Sequence, residues 1–271
     1  MTLLKAAAFD LDDTLLRDDL SISAYTVDVF RRLHASGFFL IPASGRTRMS
    51  MKPFVDRLGC ASLCIACNGA QIWNPATDQI LYREELSVDL CREIAAFGNH
   101  YRCYAQTYSD DRFFFNEYSE YADRYASASM LPGEYVGDLE SYIREPRTKI
   151  LMMAEEDKIA RMLTAARKLF QGRVSVTCSN AYFLEFNPLH ATKGIALEKS
   201  ASMLGISLRE IAAFGDSLND LSMLEACGCP VAVANARPEV LSFCDETCAS
   251  NMEDGVARYL AANVLKEDCS I

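Results

Sequence analysis

Short apolar runs alternate with helical periodicities over the first eighty residues. Residues 5–9 form an apolar run, and residues 21–36 carry Val27, Phe30, Leu33 and Ala35 at helical spacing before Gly37 stops them. A second apolar run covers 38–41 and leads into the polar turn Ser44-Gly45-Arg46. Residues 49–58 read as helix, and 63–66 as a strand ending at Asn68-Gly69. Strand, helix, strand, helix, strand predicts a parallel sheet with crossover helices. The tail repeats this grammar. Residues 193–204 read as a helix closed by Gly205, 211–214 as a strand running into Gly215-Asp216, 218–225 as helix and 231–233 as strand.

The middle has another texture. From about residue 82 to 186 aromatics are dense, among them Tyr101, Tyr104, Tyr108, Phe113, Phe114, Phe115, Tyr118, Tyr121 and Tyr125. Residues 102–108 and 112–116, joined by Ser109-Asp110-Asp111, read as a hairpin. Runs at 149–154 and 173–177 flank a helix, and 182–186 adds a strand. The pattern predicts an α/β core domain over 1–83 and 187–271, with an α+β domain over 84–186 inserted into it. Most of the inserted aromatics are expected in its core, and Trp73, ahead of Asn74-Pro75, is expected to pack a hairpin turn.

Composition narrows the function classes. A formal net charge of −10 supplies no basic excess for a nucleic-acid backbone. No stretch reaches the roughly 18–20 apolar residues of a membrane span. The N-terminal run lacks a basic leader and meets Asp10-Leu11-Asp12-Asp13, so it reads as a buried strand and not a signal peptide. The eleven cysteines, an odd number scattered through apolar segments, read as small buried hydrophobes in a reducing cytoplasm. Cys60, Cys64 and Cys67 have metal-like spacing but no second paired cluster, which argues against zinc.

Ligands of open α/β sheets bind beyond the C-terminal strand ends, and here four polar turns follow predicted strands. They are Asp10-Leu-Asp12-Asp-Thr14, Ser44-Gly45-Arg46, Asn68-Gly69-Ala70 and Gly215-Asp216-Ser-Leu-Asn219-Asp220, with Lys193-Gly194 opening a helix. Each motif alone is weak, since acidic pairs and Ser-Gly turns are common. Their order, each behind a strand, is specific. Such a set suits phosphate-monoester hydrolysis, among the slowest uncatalysed reactions in water. A carboxylate nucleophile splits it into two steps, a carboxylate-bound Mg²⁺ offsets the repulsion between two anions, and amides, a hydroxyl and a lysine stabilise the equatorial oxygens.

The arrangement resembles the haloacid dehalogenase-like superfamily, and within it the Cof-type branch with an inserted α/β cap of type IIB. The carrying residues are Phe9-Asp10-Leu11-Asp12-Asp13-Thr14-Leu15-Leu16, Ser44-Gly45-Arg46, Cys67-Asn68-Gly69-Ala70, Lys193-Gly194 and Phe214-Gly215-Asp216-Ser217-Leu218-Asn219-Asp220. Ala234-Asn235-Ala236 and the stretch from Ser250-Asn251 to Asp254-Gly255-Val256 support them. The resemblance implies a Rossmann-like three-layer core and a Mg²⁺-dependent phosphatase acting on a small phosphorylated metabolite: a sugar phosphate, phosphorylated cofactor or nucleotide. It implies that Asp10 is nucleophile and metal ligand, and that Asp12 is general acid/base and a ligand through its carbonyl. It further implies that Asp216 binds the metal, that the Leu11 amide, Ser44, Gly45, Lys193 and Asn219 hold phosphate, and that Asp220 orients Lys193 or the metal's surroundings. Arg46 and His190 are candidate substrate contacts, each with a purely structural alternative.

Asp13 departs from the family pattern, which has glycine there. Aspartate tolerates left-handed backbone, so the turn is expected to survive. Two other functions remain open on sequence: a sugar phosphomutase of this architecture, and a non-catalytic phosphometabolite sensor. The natural substrate and the oligomeric state are not legible.

Overall fold

The first strand, β1 (Ala6–Phe9), has all four side chains fully buried. Successive strand residues face opposite sides of a sheet, so both faces of the sheet at β1 are covered. The computed structural model describes residues 3–109, 111–178 and 181–267. They form two compact units: Met1–Gly45, Met51–Tyr82 and Thr192–Ile271 in one, Arg46–Ser50 and Arg83–Ala191 in the other.

Helix α1 (Ala24–Ala35) starts at Ser23, whose side chain accepts from the Thr26 amide, and buries Val27, Val29, Phe30 and Leu33. Each such side chain contributes about 1.5–3 kcal/mol when fully buried. Strand β2 (Phe39–Pro42) is followed by α2 (Arg48–Leu58), β3 (Cys64–Ala66), β4 (Gln71–Asn74) and β5 (Gln79–Arg83). Trp73 is fully buried in β4, opposite Cys64 and just ahead of the turn to β5. Strand β3 pairs antiparallel with β4 and touches the end of β2 through a parallel bridge from Ala43 to Ile65.

The second unit holds α3 (Val88–His100), β6 (Tyr104–Tyr108), β7 (Phe113–Phe115), α4 (Glu120–Ser129), β8 (Gly133–Tyr135), α5 (Leu139–Tyr142), β9 (Ile150–Met153), α6 (Glu156–Leu169), β10 (Val174–Thr177) and β11 (Phe183–Pro188). Its six-stranded sheet runs β10-β11-β9-β6-β7-β8. β6 and β7 pair antiparallel, as the hairpin pattern predicts. Asp110, in the expected connecting turn, lies outside the described residues. Alternation along the strands gives each face its own cluster. Ala105, Ile150, Met152, Leu184 and Phe186 join Phe97 and Phe170 on one, while Tyr104, Tyr108, Phe113, Phe115, Leu151 and Met153 join Ala122 and Leu131 on the other. The aromatic density there is mostly core, although Tyr118 is exposed.

The chain then adds α7 (Lys193–Leu204), β12 (Ile211–Gly215), α8 (Leu221–Ala226), β13 (Cys229–Val233), α9 (Pro238–Phe243), β14 (Glu246–Cys248) and α10 (Gly255–Asn263) to the first unit. Its five-stranded parallel sheet has the order β14-β13-β12-β1-β2. α8 is shorter than the 218–225 expected, because residues 217–219 form a turn held by side chains. The ten described cysteines are free thiols, seven of them buried, so they do pack mainly as hydrophobes. Among the described residues, no helix is long and apolar enough to cross a membrane.

Candidate active site

Register decides which residues meet. Phe9 pairs with Phe214 on one side and Pro42 on the other, so Asp10, Gly215-Asp216 and Ala43-Ser44 leave the sheet at one level. The Asp10 amide donates to the Phe214 carbonyl at 3.1 Å, and the Ala43 amide donates to the Phe9 carbonyl at 2.8 Å. Asp10, separated by about two hundred positions from Asp216 and Asp220, thus lies beside them. One carboxylate oxygen from each falls within 4.8 Å of the others.

A fully buried ammonium joins this group. Lys193 Nζ donates to Asp10 Oδ1 at 2.7 Å and to Asp220 Oδ1 at 2.6 Å. It is the first residue of α7, which begins where the Thr192 hydroxyl caps the Ile195 amide. Asp220 is fully buried, and its second oxygen accepts from the Asp216 and Ser217 amides at 3.1 and 3.0 Å. That pair of bonds shapes the 215–220 turn. Thr14 donates its hydroxyl to Asp216 Oδ1 at 2.9 Å.

The charges do not balance. Burial pushes the Lys193 pKa down, but the charges and hydrogen bonds of Asp10 and Asp220 outweigh it and hold the ammonium protonated. Burial raises Asp10 well above the ordinary carboxylate range; Lys193 opposes this, and Asp220, Asp216 and Asp12 reinforce it. Asp216 is pushed up to about 6 by burial and then by Asp220, against the Thr14 hydrogen bond. Three clustered carboxylates facing one ammonium fit a further cation, and an all-oxygen donor set suits a hard divalent ion such as Mg²⁺.

The remaining expected residues are placed as follows. Leu11 is fully buried, its carbonyl accepting from the Leu15 and Leu16 amides. Asp12 is half-buried in the same turn, and Asp13 is exposed with φ +56°, the left-handed backbone that glycine or aspartate tolerates. Ser44 is buried and its amide donates to the Ile65 carbonyl; Gly45 follows it, half-buried. Asn219 is half-buried, its amide held at both ends by Ser217 and Asn68. Arg46 and His190 belong to the second unit. Arg46 donates to the Ser50 hydroxyl and the Ala128 carbonyl, and His190 is exposed.

Sequence reasoning gave no role to Thr14, Asn68, Asn235 or Asn251, although all four lie inside the motifs it singled out. The Asn235 side chain donates to the Asp13 carbonyl at 2.7 Å, and the Asn251 side chain donates to the Leu16 carbonyl at 2.9 Å. The Asn251 amide donates to Asn235 Oδ1. Two late motifs therefore brace the acidic turn after β1.

A family model described as haloacid dehalogenase-like hydrolase matches residues 7–260. The chain is 28% identical over 258 residues to the 5-amino-6-(5-phospho-D-ribitylamino)uracil phosphatase YitU of Bacillus subtilis, covering 93% of this chain and 95% of that protein. It is 27% identical over 266 residues to the HMP-PP phosphatase of Serratia proteamaculans, covering 94% of each. The crystal structure of a haloacid dehalogenase-like hydrolase from Bacteroides thetaiotaomicron superposes with a TM-score of 0.87 at 25% identity, over 95% of this chain and 98% of that one. With strand order, buried acidic group and family match in agreement, this chain belongs to the haloacid dehalogenase-like hydrolases, in their Cof-type branch.

Proposed function

We propose that the protein is a Mg²⁺-dependent phosphatase of small phosphorylated metabolites, working through an aspartyl-phosphate on Asp10. The observation that carries this reading is the buried group of Asp10, Lys193, Asp216 and Asp220, in which carboxylates outnumber the one ammonium. Asp10 and Asp216, with the Asp12 carbonyl, are the residues that would hold the ion. When bound, Mg²⁺ supplies positive charge that lets a carboxylate approach a phosphate dianion.

The chain's own residues do the rest. A carboxylate oxygen of Asp10 forms the bond to phosphorus as the ester P–O bond breaks, and Asp12 gives its proton to the leaving oxygen. Asp12 then takes a proton from water, the water oxygen bonds to phosphorus, and the Asp10–phosphorus bond breaks to release phosphate. Lys193, Ser44, Asn219 and the amides of Leu11 and Gly45 hold the equatorial oxygens, with Asp220 fixing Lys193. On this reading the second unit is the inserted cap expected over 84–186. The buried free thiols favour a reducing cytoplasm as its location.

Hydrolysis of p-nitrophenyl phosphate tests this directly. Wild-type protein with Mg²⁺ should release nitrophenol, EDTA should stop it, and Asp10→Asn should lower kcat by at least about a thousandfold while the circular dichroism spectrum is unchanged. Full activity of the variant removes Asp10 from its role. A substrate panel should include 5-amino-6-(5-phospho-D-ribitylamino)uracil and HMP-PP, the compounds that the relatives' names carry.

A further inference from the structure

The turn after β3 is built around Asn68, which lies 6% exposed at φ 54°, ψ 26°. Its backbone amide donates to the Ser44 carbonyl at 3.0 Å. Its side-chain Oδ1 accepts from Asn219 Nδ2 at 3.0 Å, and a Cβ built on Gly45 would lie 3.1 Å from that same oxygen. The next residue, Gly69, has φ +106°, and a Cβ there would fall 2.2 Å from the carbonyl oxygen of Thr192, the residue that caps the Lys193 helix. One two-residue turn thus touches the Ser44-Gly45 loop, the Asn219 loop and the start of α7.

Asn219 has its amide oxygen occupied by the Ser217 hydroxyl at 2.9 Å and one amide proton occupied by Asn68. A carboxamide nitrogen carries two protons, so the second has its direction set by the first. We propose that Asn68 is a positioning residue that aims the Asn219 amide at a bound phosphate and ties the phosphate loops into one frame. This rests on the phosphatase reading above. The residue type follows from two demands. A left-handed backbone favours glycine, asparagine or aspartate, and only the last two of these offer a short acceptor for Asn219. Aspartate would place a negative charge beside the phosphate. Asparagine meets both conditions.

The test is a double-mutant cycle read in the inhibition constant of inorganic phosphate and in KM and kcat for p-nitrophenyl phosphate. Asn68→Gly removes the side chain without straining the left-handed backbone. It should raise the phosphate inhibition constant and KM about fivefold, the loss of one hydrogen bond, and leave kcat within about twofold. Asn219→Ala should raise both at least as much, and adding Asn68→Gly to it should cost less than a further factor of about two. A wild-type constant in Asn68→Gly, or factors that multiply in the double variant, overturns the inference. If Asn68→Gly does not fold, the Asn219 side-chain signals of 15N-labelled wild-type enzyme decide. One proton exchanging well below the free-amide rate supports the inference, and both exchanging freely overturn it. A wild-type protein without activity, with Asn219→Ala silent on phosphate binding, removes the phosphatase reading and this inference together. An active enzyme impaired by Asn219→Ala and untouched by Asn68→Gly removes only this inference.

Discussion

Asp13 shows how a single backbone angle can govern substitution. At φ +56° it sits where an ordinary L-residue is strained by about 1–2 kcal/mol and glycine is not. Asp13→Ala should therefore lose about 1 kcal/mol in urea unfolding, while Asp13→Gly stays near wild type. Equal stability of the two variants would show that the turn relaxes away from the left-handed region. Asn235, which donates to the Asp13 carbonyl, and Asn251, which donates to that of Leu16, both come from the far end of the chain. The left-handed turn is legible in the sequence as a departure that the backbone tolerates. Its braces are not, because nothing local to Asn235 or Asn251 says which carbonyl each will reach.

Among elements, α7 carries the most consequence for the site. Its first residue supplies the buried ammonium, and its second, Gly194, lies so close to α8 that a Cβ would meet the Ser222 carbonyl oxygen at 2.2 Å. The Ser222 hydroxyl also accepts from the Gly194 amide. Gly194→Ala should push α7 off α8 and draw Lys193 away from Asp220. We expect a stability loss of about 1–3 kcal/mol, as for other overpacked contacts, together with a larger proportional loss of p-nitrophenyl phosphate hydrolysis. A thermal melt and an initial-rate assay on the same sample check both; a fully active variant would show that the helices can part without moving the lysine. The helix itself is plain in the sequence, with Lys193 at its start and Gly205 at its end. The start of α8 is not, because Asp220 takes the Asp216 and Ser217 amides and so holds back the beginning of the helix that the sequence places at 218–225.

Across the whole molecule, most of the described thiols are buried. Burial pushes Cys60, Cys103 and Cys244 up to about 11, and Cys91, Cys227 and Cys248 up to about 12, from an ordinary value of 9.0. Folded pKa values above the unfolded ones mean that the unfolded chain loses these protons first. The stability they contribute is complete below about pH 9 and declines as pH rises towards 12. The urea midpoint should accordingly fall between pH 8.5 and about 10.5, and a disulfide reagent at pH 8 should react quickly with these thiols only after denaturant is added. A midpoint unchanged over that range would show that the thiols ionise without penalty in the fold.

Taken by itself, the sequence determined the alternation of strands and helices, the presence of an aromatic-rich middle segment and the polar turns behind Phe9, Ile41 and Phe214. These follow from periodicity and turn chemistry, which act over a few residues at a time. Only the tertiary structure decided that Asp10, Lys193, Asp216 and Asp220 share one buried point, and that Asn68 joins the loops around it. Parallel pairing of β1 with β12 sets that meeting, and register between strands two hundred residues apart is a property of the packed sheet, carried by no local stretch of chain.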